Sequence, residues 1–316
     1  MKKILVTGAG GSLGELTIKQ LLKLEDVQIT ALDLRTKRYH KKIKKYHKDI
    51  NIVYGDINDY NLISELVKDN DYIIHLAGVM PPLANLKVNL LKDIDYKGTE
   101  NIIKAISYYN PDCFLVYPST TSIYEKNENN LYNTKSYLKV DEDDYYSEYK
   151  LKIENLIIKK VKNYVIYRLP IVLCIEGEFI YNVNRKDNVE VITDRDVANA
   201  LAVSIKDCKK INKQVFNLSD GEENRIMYRD LLIKILKSYG VNMHYIYSLI
   251  FLEKNYNVGF YSDTDKLIKK LKFKDDNIDL YFIRLKRRSK KRLIQKILAK
   301  PIIYYLNIKY NNKRVG

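Results

Sequence analysis

The sequence predicts an α/β fold, a doubly wound parallel sheet with a smaller C-terminal lobe. Three observations carry this. Short β-rich runs alternate with helical stretches through the first half of the chain. The strand runs are mainly apolar without a clean polar alternation, as suits strands covered by helices on both faces. A glycine-rich turn joins the first strand directly to the first helix. Alternation of this kind demands crossover connections, and crossovers give parallel pairing.

Taken in order, strands are expected at Lys3–Thr7, Gln28–Asp33, Asn51–Tyr54, Asp71–Leu76 and Cys113–Pro118. Helical patterns between them cover Ser12–Leu24, Asp59–Lys68 and Leu86–Tyr109. A further helix over Tyr146–Lys162 leads to a strand at Tyr164–Arg168, so residues 1–170 read as one unit. Beyond Pro170 the pattern is less regular. A strand is expected at Val189–Thr193, a helix at Asp194–Ile205, a strand at Gln214–Leu218 and a helix at Tyr228–Tyr239. Residues 171–283 read as a substrate lobe interleaved with the first unit, and 284–316 as a basic amphipathic tail. Lys126–Asn133 is mainly polar and is expected to be a mobile loop.

The length of 316 residues suits one large domain, or a large domain with a small lobe, and 46% hydrophobic residues allow a sizeable core. The formal charge of +16 suggests nucleic acid until it is located. Residues 284–316 hold 12 Lys or Arg and no acid, leaving 43 basic against 39 acidic residues elsewhere. A nearly balanced body argues against a basic groove, and no nucleic-acid partner is expected. Cys113, Cys174 and Cys208 are scattered, without CxxC or paired histidines. That pattern fits a reducing, cytoplasmic compartment and argues against disulfides and metal. The apolar start is broken by Thr7 and glycines before it reaches signal-peptide length, and no run approaches the roughly 18 to 20 apolar residues of a membrane span.

The turn Gly8-Ala-Gly-Gly11-Ser-Leu-Gly14 lies between strand and helix, the context a dinucleotide-binding turn requires. Gly8 permits the tight turn, Gly11 lets backbone approach a pyrophosphate, and Gly14 lets helix pack on sheet. Ser12 and Leu13 open the helix, whose N-terminus favours negative charge. The second strand ends in Asp33, about 20 residues further on, where a carboxylate can accept both ribose hydroxyls of NAD and repel a 2′-phosphate. Arg35 nearby keeps NADP open as the alternative cofactor.

Further pieces follow in order: Gly55-Asp56-Ile57, His75-Leu76-Ala77-Gly78, Lys97-Gly98-Thr99-Glu-Asn101 and Ser119-Thr120-x-x-Ile-Tyr124. After them come Tyr146-x-x-x-Lys150 and Arg168-Leu-Pro170, with weaker echoes at Asp194-Arg-Asp196-Val-Ala and Val215-Phe-Asn217-Leu. In this order the sequence resembles the extended short-chain dehydrogenases, the NAD-dependent epimerase/dehydratase family of Rossmann fold. The resemblance implies that Asp56 and Ile57 sit at the adenine and Leu76, Ala77 and Gly78 along the middle of the cofactor. It implies Tyr146 as acid/base, Lys150 as its partner and Thr120 as the hydroxyl that binds the substrate oxygen. It also implies a homodimer formed through paired helices.

The chemistry of the residues agrees. A four-residue spacing puts Tyr146 and Lys150 on one helix face. An ammonium beside a phenol stabilises the phenolate and lowers its pKa from about 10. The 28 tyrosines make a chance Tyr-x-x-x-Lys easy to find, so this match draws its weight from the motifs before it. His75 reads as a strand-end residue near the cofactor, not a catalyst.

Departures from the family pattern bear on the substrate. Thr121 and Ser122 stand where 4,6-dehydratases carry acid/base carboxylates, which disfavours that elimination. Glu125 follows Tyr124 where glycine is usual, and the stretch from Pro170 to Asp194 is short, with Arg185 and Lys186 its basic groups. The expected function is hydride transfer at a hydroxyl or carbonyl carbon of a sugar-like or small carbonyl substrate. A nucleotide-sugar epimerase with tightly held NAD is the alternative enzyme, and a dinucleotide-sensing protein the non-catalytic one. In the tail, Leu293, Ile294, Ile297 and Leu298 fall on one side of a basic helix ended by Pro301. Residues 284–306 therefore suit peripheral contact with the inner membrane surface, set against a terminal helix packed on the body.

Overall fold

The computed structural model describes residues 1–175, 187–238 and 258–290. β1 (Lys2–Thr7), α1 (Ser12–Leu21), β2 (Val27–Asp33), α2 (Lys37–Ile43) and β3 (Asn51–Tyr54) open the fold. α3 (Tyr60–Lys68) returns the chain to β4 (Tyr72–His75). The next crossover is broken into α4 (Leu83–Leu86), α5 (Val88–Leu91), a π-helical stretch at Lys92–Lys97 and α6 (Gly98–Tyr109), which leads to β5 (Phe114–Thr120). A 3₁₀ turn at Thr121–Ile123 and the two-residue β6 (Leu131–Tyr132) precede α7 (Tyr145–Lys160) and β7 (Asn163–Leu169). The remaining described elements are β8 (Ile171–Leu173), β9 (Asn188–Thr193), α8 (Asp194–Lys206), α9 (Cys208–Ile211), β10 (Gln214–Asn217), β11 (Arg225–Met227) and α10 (Tyr228–Ser238). β12 (Phe260–Tyr261), α11 (Thr264–Leu271) and α12 (Ile278–Lys290) complete them.

A seven-stranded sheet in the order β10-β7-β5-β4-β1-β2-β3 forms the centre. Its pairings are all parallel. Ile4, Leu5 and Val6 of β1 are fully buried, which only a sheet covered on both faces allows. One face carries α1 and α8, the other α3, α6 and α7, each over its own apolar cluster. The chain leaves β1 in one direction and resumes at β4 in the other. That reversal opens a crevice at the C-terminal ends of β1 and β4, where ligands bind in such sheets. A second, three-stranded sheet β11-β9-β8 packs with α10 and α12 around Val189, Val191, Tyr228, Leu231 and Tyr281.

Four features depart from the sequence reading. The stretch Leu86–Tyr109 is not one helix: Lys87 leaves helical backbone at φ −129°, ψ 68°, and residues 92–97 widen to π geometry. The widened turn holds Asp95 inward, where its Oδ2 accepts the buried Val79 N–H at 2.7 Å. The expected mobile loop at Lys126–Asn133 contains β6, because Tyr132 is buried against Tyr124 and Tyr261 and its strand pairs with β12. α2 had no counterpart in the sequence reading. Finally, residues 284–290 belong to α12, where Arg284 pairs with Asp276 and Leu285 is buried. The rest of the tail, and Arg185 and Lys186, lie outside the described residues. No helix among the described residues is long and apolar enough to cross a membrane.

Candidate active site

The crevice is built on the glycine turn. Gly8 has φ of +65°, and a Cβ there would lie 2.7 Å from Ala77 N and from the Leu76 carbonyl, so the ends of β1 and β4 touch. Gly11 N–H donates to Gly8 O at 3.0 Å and closes the turn. A Cβ on Gly14 would run into Gly8 O, so α1 rests directly on the loop. Gly11 is the N-cap of α1 and makes no side-chain cap, while Ser12 and Leu13 form its first turn. Such a terminus attracts an anion. α2 lies across the turn. Tyr39 packs on Gly10, and Lys42 donates to Ser12 Oγ at 3.5 Å.

Asp33 ends β2 and accepts Gly10 N–H and Leu34 N–H, each at 2.7 Å. Burial raises its pKa, and the two amides oppose that shift. Its carboxylate therefore fixes the glycine turn, and each oxygen keeps a lone pair for a ribose hydroxyl. Asp56 is exposed after β3 and accepts Asn58 N–H at 2.9 Å. Ile57 is buried against Gly98, where any Cβ would come within 2.6 Å of Ile57 Cγ2, and Asn101 Nδ2 donates to Ile57 O and Asn58 O. The Lys97-Gly98-Thr99-Glu-Asn101 motif thus props the loop after β3.

His75 is buried between two hydroxyls, with Thr7 Oγ1 2.7 Å from Nδ1 and Thr99 Oγ1 2.9 Å from Nε2. Thr99 donates its proton to Asp95 O, so it must accept from Nε2–H. Thr7 then donates to Nδ1, and its oxygen accepts Leu76 N–H and Ala77 N–H at 3.2 Å. Burial, aided by the Lys150 charge, pushes His75 down to about 3. A neutral, fully engaged imidazole braces the Leu76-Ala77-Gly78 backbone and has no proton to trade.

α7 places Tyr146 and Lys150 on its inner face, and both are buried. Lys150 Nζ lies 5.7 Å from the Tyr146 ring centre, donates to Tyr117 OH at 3.1 Å and is 3.6 Å from Asp95 Oδ1. Burial lowers the Lys150 pKa, while Asp95 and Glu154 raise it. Burial raises the Asp95 pKa, opposed by Lys150 and Val79 N–H. Asp95 Oδ1 would also lie 2.9 Å from a Cβ on Gly78, which ties the loop after β4 to the Lys150 pocket. Tyr146 OH reaches Met80 Sδ at 3.7 Å, on the loop continuing from Gly78.

Thr120 closes β5 and caps the 3₁₀ turn by accepting Ser122 N–H at 3.2 Å. Its Oγ1 is 2.7 Å from Ser122 Oγ, which is 2.6 Å from Ser147 Oγ, next in sequence to Tyr146. Ser147 Oγ donates to Asp144 Oδ2 at 2.5 Å, and Asp144 caps α7. The structure thus brings Thr120, Tyr146 and Lys150 to the crevice that Gly8 to Gly14 and Leu76 to Gly78 line. Asp56 and Ile57 lie on the loop after β3, with Ile57 against Gly98 and Asn101.

Sequence reasoning missed Asp95, Tyr117, Lys42 and the Ser122–Ser147–Asp144 chain. Asp144 had a readable signal, an acid capping a helix three residues before Ser147. Among the described residues no group of His, Cys, Asp and Glu is arranged to hold a metal ion.

A sequence profile of the 3-beta hydroxysteroid dehydrogenase/isomerase family matches residues 5–169, just over half the chain. The chain belongs to that family. It is thereby an extended short-chain dehydrogenase/reductase, of the NAD-dependent epimerase/dehydratase group. The span matched by the 3-beta hydroxysteroid dehydrogenase/isomerase profile contains every site residue from Gly8 to Lys150.

Among solved structures, the UDP-glucuronic acid 4-epimerase from Bacillus cereus in complex with UDP-glucuronic acid and NAD is 17% identical, with TM-score 0.75. The match covers 92% of this chain and 99% of that one. The UDP-Glc/GlcNAc 4-epimerase from Campylobacter jejuni is 16% identical, with TM-score 0.74 over 92% of this chain and 100% of that one. The UDP-N-acetylglucosamine 4-epimerase from Methanobrevibacter ruminantium M1, in complex with UDP-N-acetylmuramic acid, is 17% identical, with TM-score 0.71 over 93% and 99%. At these identities the likeness establishes a shared fold. No curated protein matches the sequence.

Proposed function

We propose that this protein oxidises and re-reduces a secondary hydroxyl of a sugar-like substrate with NAD held in the glycine crevice, a nucleotide sugar being the first candidate. The observation that carries the reading is the continuity from Gly8, through Leu76-Ala77-Gly78, to Asp95, Lys150 and Tyr146. A turn in which Gly8 and Gly14 let β4 and α1 approach to backbone contact, at the N-terminus of α1, fits a pyrophosphate held by backbone. Gly11, Ser12 and Leu13 would take the phosphates, with Lys42 close by, and Asp33 the ribose hydroxyls. Asp33 favours NAD, and Arg35 leaves NADP as the cofactor to test beside it.

Bound NAD supplies the acceptor for the hydride leaving the substrate carbon. Tyr146 takes the hydroxyl proton at its phenol oxygen, and the Lys150 ammonium favours the phenolate that does so. Thr120 holds the reacting oxygen. Return of the hydride to the opposite face of the same carbon, with the proton handed back by Tyr146, completes an epimerisation with no net change in cofactor; release of the ketone instead leaves a net dehydrogenation. Three 4-epimerases of the same fold, each covered almost end to end, favour the epimerase reading over net dehydrogenation.

The test is to purify the protein, measure retained and added NAD and NADP, and incubate it with UDP-glucose, UDP-glucuronic acid and UDP-N-acetylglucosamine. Epimeric product without net change in nicotinamide absorbance is the expected result. Tyr146→Phe should bind NAD normally and lose turnover by a factor of about 10² to 10⁴. Failure to bind either dinucleotide, or full activity in Tyr146→Phe, would overturn the proposal.

A further inference from the structure

The loop that follows Gly78 delivers a thioether to the Tyr146 hydroxyl. Val79 N–H is held by Asp95 Oδ2 at 2.7 Å, and Met80 O accepts Ala84 N–H at 3.1 Å, so the backbone is fixed on both sides of Met80. Val79, Ala84 and Leu91 pack with Tyr146, and Asn85 Oδ1 accepts Tyr146 N–H at 2.8 Å. From this anchored loop the Met80 side chain reaches the phenol, with Sδ 3.7 Å from Tyr146 OH. Met80 is nevertheless 58% exposed, whereas Tyr146 is buried. One residue thus touches the acid/base and is also open to solutes.

A thioether sulfur is a weak acceptor, and a substrate oxygen entering the crevice displaces it readily. Its sulfoxide is polar, with an oxygen that accepts strongly. The path from sulfur to phenol bends at that oxygen, so it can accept the Tyr146 proton at about 2.7 Å across the present separation. We propose that Met80 is an oxidative modification site: hydrogen peroxide converts its thioether to the sulfoxide, which captures the Tyr146 proton and slows the reaction. This rests on the reading of Tyr146 as the acid/base. In the step, the sulfur lone pair attacks one peroxide oxygen, the O–O bond breaks, and the other oxygen leaves as water. Sulfur loses two electrons and peroxide gains them. A methionine sulfoxide reductase reverses the change, oxidising a dithiol to a disulfide and releasing water.

The effect on turnover has a definite sign. Tyr146 takes the substrate proton as a phenolate, which the Lys150 ammonium favours. The sulfoxide binds the neutral phenol and sets a second partly negative oxygen against the phenolate, so it opposes Lys150. Lys150 on α7, Tyr117 on β5 and, beside Lys150, Asp95 are titratable groups of the same pocket, and the oxidation leaves them as they are. The pH at which turnover reaches half its plateau therefore rises. Below it, turnover falls about three- to tenfold, the worth of one hydrogen bond. An oxygen that merely obstructed the substrate would lower turnover equally at every pH.

The test treats the NAD-loaded full chain with hydrogen peroxide and follows each methionine by peptide mass spectrometry, with Met1, Met227 and Met243 for comparison. Dithiothreitol is then added, which restores oxidised thiols and leaves the sulfoxide. Epimerisation of UDP-glucose should fall in step with Met80 sulfoxide, its pH midpoint should rise, and the reductase should restore both. Met80→Leu should keep its own starting rate through the same treatment. An unoxidised Met80, a loss that persists in Met80→Leu, or a loss uniform across pH would overturn the proposal.

If UDP-sugars are not turned over at all, the proposed function fails and a measurement without substrate still decides the site. The ¹³Cζ signal of Tyr146, assigned with Tyr146→Phe, should titrate about 0.5 to 1 pH unit higher once Met80 is oxidised. An unmoved midpoint means that the sulfoxide does not hold the phenol proton, and overturns the inference.

Discussion

At Gly8 and Lys150 single atoms set what the site can do. A Cβ on Gly8 would meet Ala77 N and the Leu76 carbonyl at 2.7 Å, on a backbone at φ of +65° that L side chains seldom adopt. Neither obstacle is a movable side chain. Gly8→Ala should therefore destabilise the fold by roughly 1–3 kcal/mol in urea unfolding, and weaken NAD binding measured by titration well beyond that of a surface Gly→Ala control. Lys150 is held by opposing forces of similar kind. Burial favours the neutral amine, while Asp95 at 3.6 Å and Glu154 one helical turn away favour the ammonium. His75, two hydroxyls deep, stays neutral, which leaves Lys150 as the cation facing Tyr146.

At the scale of elements, helix ends and short strands divide what pattern reveals from what it hides. α3 is capped by Asp59, whose Oδ1 accepts Asn61 N–H and Leu62 N–H. Asp59→Ala should lower the urea midpoint by an amount worth about 1 kcal/mol without changing the slope of the transition. Caps of this kind and the 3.6-residue period are local, and so the central strands and the long helices were legible within a few residues. Gly8, Gly11 and Gly14 were legible for the same reason, since a strand, a turn and a helix occur there in immediate succession. The break at Lys87 and the π turn at Lys92–Lys97 were not legible, because Asn89-Leu-Leu-Lys92 contains no residue that resists a helix. What widens that turn is Val79, a residue distant in sequence whose N–H needs Asp95. An acid inside a helical run reads as solvated until the loop after β4 is placed beneath it. β6 and β12 are two residues each and exist only because each has the other, some 130 residues apart.

Across the whole molecule, buried carboxylates gather where the second sheet meets α8. Asp196 accepts the Asp275 and Asp276 amides, and Asp220 lies beside it, accepting Thr193 N–H at 3.1 Å. Burial and the Asp196 charge push Asp220 up to about 9, far above its unfolded value of about 3.9. The folded chain keeps a proton there that the unfolded chain has shed, so the stabilisation is complete below about pH 4 and is lost as pH rises through about 9. Thermal unfolding should show a falling melting temperature on the alkaline side, and Asp220→Asn should flatten it. An unchanged alkaline limb in that variant would place the lability elsewhere. The second sheet has one more connection, through β12. Phe260 N–H and Ser262 N–H donate to Asn130 O and Tyr132 O, and Tyr261 OH donates to Thr121 Oγ1 at 2.7 Å, one residue from Thr120. During translation this fastener emerges long after the segment it secures. A nascent chain can pair β5 with β7 and join Ser122 to Ser147 while still tethered to the ribosome, yet the bond to Thr121 forms only after residue 261 has cleared the exit tunnel.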